Sequence, residues 1–271
     1  MKSRNGGYTI LEALIFLTVS GLLFALVYPS FASRDNSNKF SQSVNDMANK
    51  INDVINDVST GYYPSADTRC IIVGSGAGSN INFNNGLPNS KQGTREDCIF
   101  VGKVVSFNIN SPSINIETMV GMREVNGNGP SPTTIALSKP VAVDPSTSAP
   151  APDVTEIYSS KWGVPVSRVG YLGPNPYNTL TTPSIGIMLN LGANNLSSST
   201  KSLDLYRVNG NTVSNINDQA RWSKNEKFVI CMDDPNSNKV AGIIIDSKNG
   251  TKARAVFDNI VSEMGVANVC S

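Results

Sequence analysis

The chain has 271 residues, and 22 Lys+Arg set against 21 Asp+Glu leave a formal net charge of +1, which excludes a globally basic nucleic-acid binder. At 39% hydrophobic it can bury a core, while its 16% charged residues fall below the usual ~25%. It has no histidine, which excludes Ser-His-Asp triads, Cys-His dyads and His-ligated metal sites and points away from an enzyme.

Met1 to Gly7 reads MKSRNGG, a polar leader carrying Lys2 and Arg4. Tyr8 to Phe31 reads YTILEALIFLTVSGLLFALVYPSF, with no charge from Ala13 to Tyr28. As a helix this stretch would run about 36 Å, enough to cross a bilayer. The cations ahead of it predict a cytoplasmic N-terminus with the bulk of the chain outside. Glu12 interrupts the apolar run. An acid within a membrane segment marks a functional site, and one at a helix N-terminus also suits the positive end of the dipole. Ala13 to Tyr28 also fits the h-region of a secretory signal cut after Ser30-Phe31-Ala32. Beyond it, Phe40, Val44, Met47, Ile51, Val54, Ile55 and Val58 recur at three- and four-residue steps. That is the apolar stripe of one helix face, and Gly61 is its stop signal. A single rod of about 75 Å is predicted from Tyr8 to Val58.

After Gly61 the period shortens. Strands are predicted over Cys70–Val73, Ile99–Ile109, Ser113–Met119, Thr134–Leu137, Ser184–Leu189, Leu203–Val208, Lys227–Met232, Val240–Asp246 and Lys252–Phe257, separated by Asn, Gly and Pro. Val143 to Asp153 (VDPSTSAPAPD) reads as a surface loop or linker. The predicted fold class is α+β, a long N-terminal helix with a membrane half and an amphipathic half packed on a β-rich head. The predicted segments are 1–7 (leader), 8–60 (helix) and 61–271 (head).

Four cysteines remain, Cys70, Cys98, Cys231 and Cys270. Four permit three connectivities, and the shorter rings favour Cys70–Cys98 and Cys231–Cys270. A zinc site would want C-x-x-C pairs, which are missing. Gly74 to Ser79 lacks the lysine of a phosphate loop. Asp234-Pro-Asn-Ser-Asn238 has alternating oxygens but neither the glycine nor the final glutamate of a calcium loop. Lys248, Lys252 and Arg254 form a small basic cluster near Asn249-Gly250, readable as a solvated face or as phosphate contacts to DNA.

Gly7, Tyr8, Glu12, Gly21 and Pro29 together resemble the N-terminus of the type IV pilin and pseudopilin family, over about 25 residues. The resemblance implies cleavage by a prepilin peptidase after Gly7 and methylation of Tyr8. It also implies assembly roles for Glu12, Gly21 and Pro29. Ile243 to Ile245, Gly250, Lys252 and Arg254 are similar to the C-terminal hairpin of H-type pseudopilins and FimT-type minor pilins, which implies DNA contact. One cation here is Lys, and both sit one place later after the glycine than in those proteins. The function implied is that of a structural subunit, a minor pilin, of a type IV pilus-like surface filament. The alternatives are a DNA- or host-surface-binding tip pilin and a pseudopilin of a type II-like secretion system. No catalytic residue, cofactor or metal is predicted. The implied partners are other pilin subunits, the prepilin peptidase, an inner-membrane assembly platform and, before assembly, the membrane. The implied location is the cytoplasmic membrane, single-pass with the head outside, and then an extracellular pilus or pseudopilus.

Overall fold

The computed structural model describes residues 9–61, 68–73, 80–85, 98–127, 129–143, 155–171, 178–180, 183–192, 202–209, 222–225, 227–234, 239–247, 251–257 and 270. The side chains of 27 and 29–33 and most of those in 68–85 fall outside that description.

Helix α1 (Ile10–Thr60) is capped at both ends by its own sequence. Thr9 is the N-cap: its Oγ1 accepts from the Glu12 backbone N–H at 3.3 Å, and the Thr9 N–H donates to Glu12 Oε2 at 3.5 Å, a reciprocal capping box. Gly61 takes the left-handed conformation (φ 70°), and its N–H closes on Val58 O at 3.1 Å. Between these caps the backbone is helical past Gly21 and Pro29.

All seven residues of the apolar stripe, Phe40 to Val58, are buried. They lie against two antiparallel sheets. The larger has the order β11 (Trp222–Asn225), β10 (Leu203–Asn209), β9 (Pro183–Leu189), β3 (Cys98–Phe107), β4 (Ser113–Met122), β5 (Val141–Ala142), and β6 (Thr155–Ser159) also pairs with β4. The smaller has the order β14 (Lys252–Val256), β13 (Lys239–Asp246), β12 (Lys227–Asp234), β7 (Val166–Tyr171), β8 (Asn178–Thr179). A separate hairpin joins β1 (Thr68–Val73) to β2 (Asn80–Asn85). One continuous apolar cluster takes side chains from α1 and from both sheets, among them Val44, Ile51, Ile116, Ile187, Phe228 and Ile243. The sheets meet where the Asn110 N–H donates to Val166 O at 2.8 Å and Arg207 of β10 donates to the Tyr171 hydroxyl of β7.

Strand β3 carries a bulge at Gly102. There φ is +153°, and a Cβ would stand 2.3 Å from Ile187 O, so only glycine lets β9 come this close.

The α+β expectation of a helix with a membrane half is corrected. Strands make up 48% of the described residues, so the molecule is predominantly β. Among those residues no helix is long and apolar enough to cross a membrane. Glu12 places a carboxylate near the start of the helix's apolar first half. The expected single-pass anchor, and the cytoplasmic-membrane location resting on it, are overturned with it.

Residues 134–137 are also not a strand. They form the short helix α2 (Ile135–Ser138), because the Thr134 side chain accepts from the Leu137 N–H at 3.3 Å and caps a turn in place of extending it. Of the predicted linker Val143 to Asp153, all but Val143 lies outside the described residues, as do Gly74 to Ser79 and 235–238.

Candidate assembly surface

The two halves of α1 differ in their surroundings. The second half is gripped on both flanks of its buried stripe. Lys39 Nζ sits 5.4 Å from the centre of the Trp162 ring, and Phe40 meets Phe257 edge to face at 6.4 Å. Lys239 Nζ donates to Ser37 Oγ. The Asp46 carboxylate accepts from the Tyr158 hydroxyl and, at 3.3 Å, from the Lys161 N–H. Lys50 Nζ is 2.5 Å from Glu156 and 5.6 Å from the centre of the Tyr158 ring. Burial, reinforced by the hydrogen bond to Asp46 and by the charge of Asp46, Glu156 and Asp53, pushes the Tyr158 phenol well above its ordinary range. Asn52 and Asp57 reach β14 and β3. Five polar or charged side chains of the helix, Ser37, Asp46, Lys50, Asn52 and Asp57, thus have partners in strands far away in sequence.

Among the described residues, the first half shows no such partners. Twelve large apolar residues between Ile10 and Tyr28 are 55–86% exposed. They include the consecutive run Leu14, Ile15, Phe16 and Leu17, so the exposure goes round the helix and is not confined to one stripe. The polar side chains here are satisfied within the helix: Thr18 Oγ1 donates to Ile15 O at 2.9 Å and Ser20 Oγ to Phe16 O at 2.7 Å. A soluble monomer rarely exposes a contiguous apolar patch of more than a few hundred Å². Covering these side chains would contribute on the order of 20–30 kcal/mol.

Glu12 lies in this free half and is exposed. Its place at the third helical position gives it a local role, holding the Thr9 N–H. Gly21 faces open space, with nothing within 4 Å of a Cβ built on it, so packing within the chain does not require its small size. Gly7 and Tyr8 lie outside the described residues, as do the side chain of Pro29 and the whole of Lys248.

At the opposite end of the sequence, Lys252 and Arg254 are exposed on β14 while Ala253 between them is buried, so the two cations share the face turned away from α1. Lys252 stands opposite Asp246 in the strand register. Cys231 and Cys270 form a disulfide, with Cα atoms 5.4 Å apart, which removes both as thiolate ligands. Cys98 is also disulfide-bonded, and the Cys70 side chain lies outside the described residues. A cleft of about 450 Å³ opens beside the Phe40 grip, between Ser37, Ser41, Lys239, Val240 and Phe257.

Sequence reasoning missed Asp46, Asn52, Asp57, Lys103 and Tyr158. For Asp46, Asn52 and Asp57 the visible signal was their place on the margins of the stripe, one residue from Met47, Ile51 and Val58, where a polar group can reach back to a sheet; Lys103 and Tyr158, on β3 and β6, carried no such signal. Comparison with family models, curated proteins and solved structures finds no match for this chain, so the surface is read from its own residues alone.

Proposed function

We propose that the chain is a structural subunit, a minor pilin, of a filament in the type IV pilin and pseudopilin class. In this reading the exposed apolar half of α1 packs against the same segment of other copies. One observation carries it: a single helix docks its second half on the head and leaves twelve large apolar side chains of its first half uncovered. The resemblance at Gly7, Tyr8, Glu12, Gly21 and Pro29 adds the class of filament, and with it processing by a prepilin peptidase. The test is assembly of the full chain beside a Leu14→Glu, Leu22→Glu variant, followed by sedimentation and electron microscopy. Filaments from the native chain, lost in the variant while head stability stays unchanged, are expected. A native chain that stays monomeric at high concentration contradicts the reading.

A second reading, DNA capture by the head, is favoured by the shared exposed face of Lys252 and Arg254. Two phosphate contacts would give a salt slope of about −1.8 on duplex DNA, abolished by alanine at both positions. A native chain without salt-dependent binding eliminates it.

A further inference from the structure

Among the described residues, β14 is an outer strand of the five-stranded sheet. An edge strand presents backbone N–H and C=O groups that template the addition of another strand. Here one residue of α1 meets that edge. The Ala253 N–H donates to Asn52 Oδ1 at 2.8 Å, and Asn52 Nδ2 donates to Ala253 O at 2.9 Å. A primary amide offers one acceptor and two donors in a plane, so it can serve a backbone residue on both its polar groups at once. That is the paired exchange of bonds which a residue of a neighbouring antiparallel strand would make.

The geometry is held from both sides. In the helix, Ile51, Val54 and Ile55 are buried and fix the rotation of α1, so the amide at position 52 can point only along the flank of the stripe. In the strand, Ala253 turns its side chain into the core opposite Ile245, and its backbone groups away from β13. Lys252 and Arg254, whose backbone groups alternate with those of Ala253, face β13 instead. A second copy of β14 pairing antiparallel about Ala253 would set Lys252 against Arg254 of the other copy, a like-charge pair. The edge is thus guarded by the amide and disfavours its own duplicate.

We propose that Asn52 acts as a strand surrogate, its amide standing where a further strand would pair and closing the β14 edge to strand addition. The proposal is independent of filament assembly. The test uses the full chain, native and as Asn52→Ala and Asn52→Asp, with residue-resolved amide hydrogen exchange. Exchange at Ala253 should accelerate about tenfold or more in Asn52→Ala, with Arg254 unchanged. It should rise less in Asn52→Asp, whose carboxylate still accepts the N–H but sets a second acceptor against Ala253 O where Nδ2 had donated. The peptide acetyl-Thr-Val-Ala-Glu-Val-amide, fluorescently labelled, places its Glu across from Lys252. It should bind Asn52→Ala and not the native chain, read by anisotropy. Unchanged exchange at Ala253, or an equal rise at Arg254, overturns the surrogate role. Peptide binding that is absent from Asn52→Ala, or equal in the native chain, overturns the closing of the edge.

Discussion

The ammonium of Lys103, on β3, donates to Asp57 Oδ2 at 2.6 Å, and Asp57 lies in the last turn of α1, which has no basic residue of its own. The sheet supplies the cation that the helix C-terminus lacks. Lys103 is buried, while the Asp57 side chain is 39% exposed. Removing Asp57 strands a buried charge, whereas replacing Lys103 with an apolar residue of similar length removes the need for a partner. Asp57→Ala is therefore expected to destabilise the fold by about 1–3 kcal/mol. Lys103→Met should cost distinctly less, and denaturant unfolding gives the order. A larger loss in Lys103→Met would mean that the pair contributes net stability.

Gly21 separates local stability from assembly. Its surroundings are open, so Gly21→Ala should strengthen the isolated helix by about 1 kcal/mol without a clash. If the glycine serves close helix contact in a filament, the same variant should assemble poorly despite its firmer helix. Circular dichroism and filament yield read the two effects. Unimpaired assembly would remove Gly21 from the interface.

The Cys231–Cys270 bond closes a separation of 39 residues. By the chain-entropy relation its loss should cost up to about 4 kcal/mol. Cys231 and Cys270 belong to a small apolar cluster with Val229 and Ile244, apart from the core that holds α1. Cys270→Ala should therefore loosen the smaller sheet while Val44 and Ile51 stay protected. Thermal melts with hydrogen exchange resolve the two regions, and equal loss of protection in α1 would contradict the separation.

Tyr206 gives a pH dependence. Burial, and then the charge of Asp204, pushes its phenol from 10.0 up to about 12. The folded state holds the neutral form, so this stabilisation is fully present below pH 10 and is lost as pH rises toward about 12. Phenolate absorbance should show late-titrating components, of which Tyr206→Phe removes the one near pH 12 and leaves that of Tyr158. A native chain whose tyrosines all titrate near the ordinary value would contradict it.

If the filament reading holds, co-expression with a prepilin peptidase should give a chain beginning at methylated Tyr8, read by mass. A start at Ser33 would indicate an ordinary secretory signal in its place. Gly7→Val should leave the precursor uncut.

The sequence by itself determined the elements whose signals are local. The stripe from Phe40 to Val58 repeats every turn, and Gly61 can adopt the left-handed cap, so the docked face of α1 and its end were legible before any contact was known. The runs in β3, β4, β9, β10, β12, β13 and β14 were legible from a local signal too, because apolar β-formers between turn residues suit an extended chain, although the same signal misread residues 134–137. Short or polar strands such as β6, with its exposed Ile157, were not, since pairing to β4 and not burial makes them strands. The order β3 beside β9 and β7 beside β12 joins segments far apart in the chain, and no local pattern encodes such pairing. Hydropathy alone read the first half of α1 as a membrane span, an expectation that did not survive. Only the tertiary structure decided which polar neighbours of the stripe would matter. Asn52 and Asp57 look like any solvated helix residues until the sheets bring Ala253 and Lys103 within hydrogen-bonding distance, because a hydrogen bond depends on a meeting in space that sequence spacing does not specify.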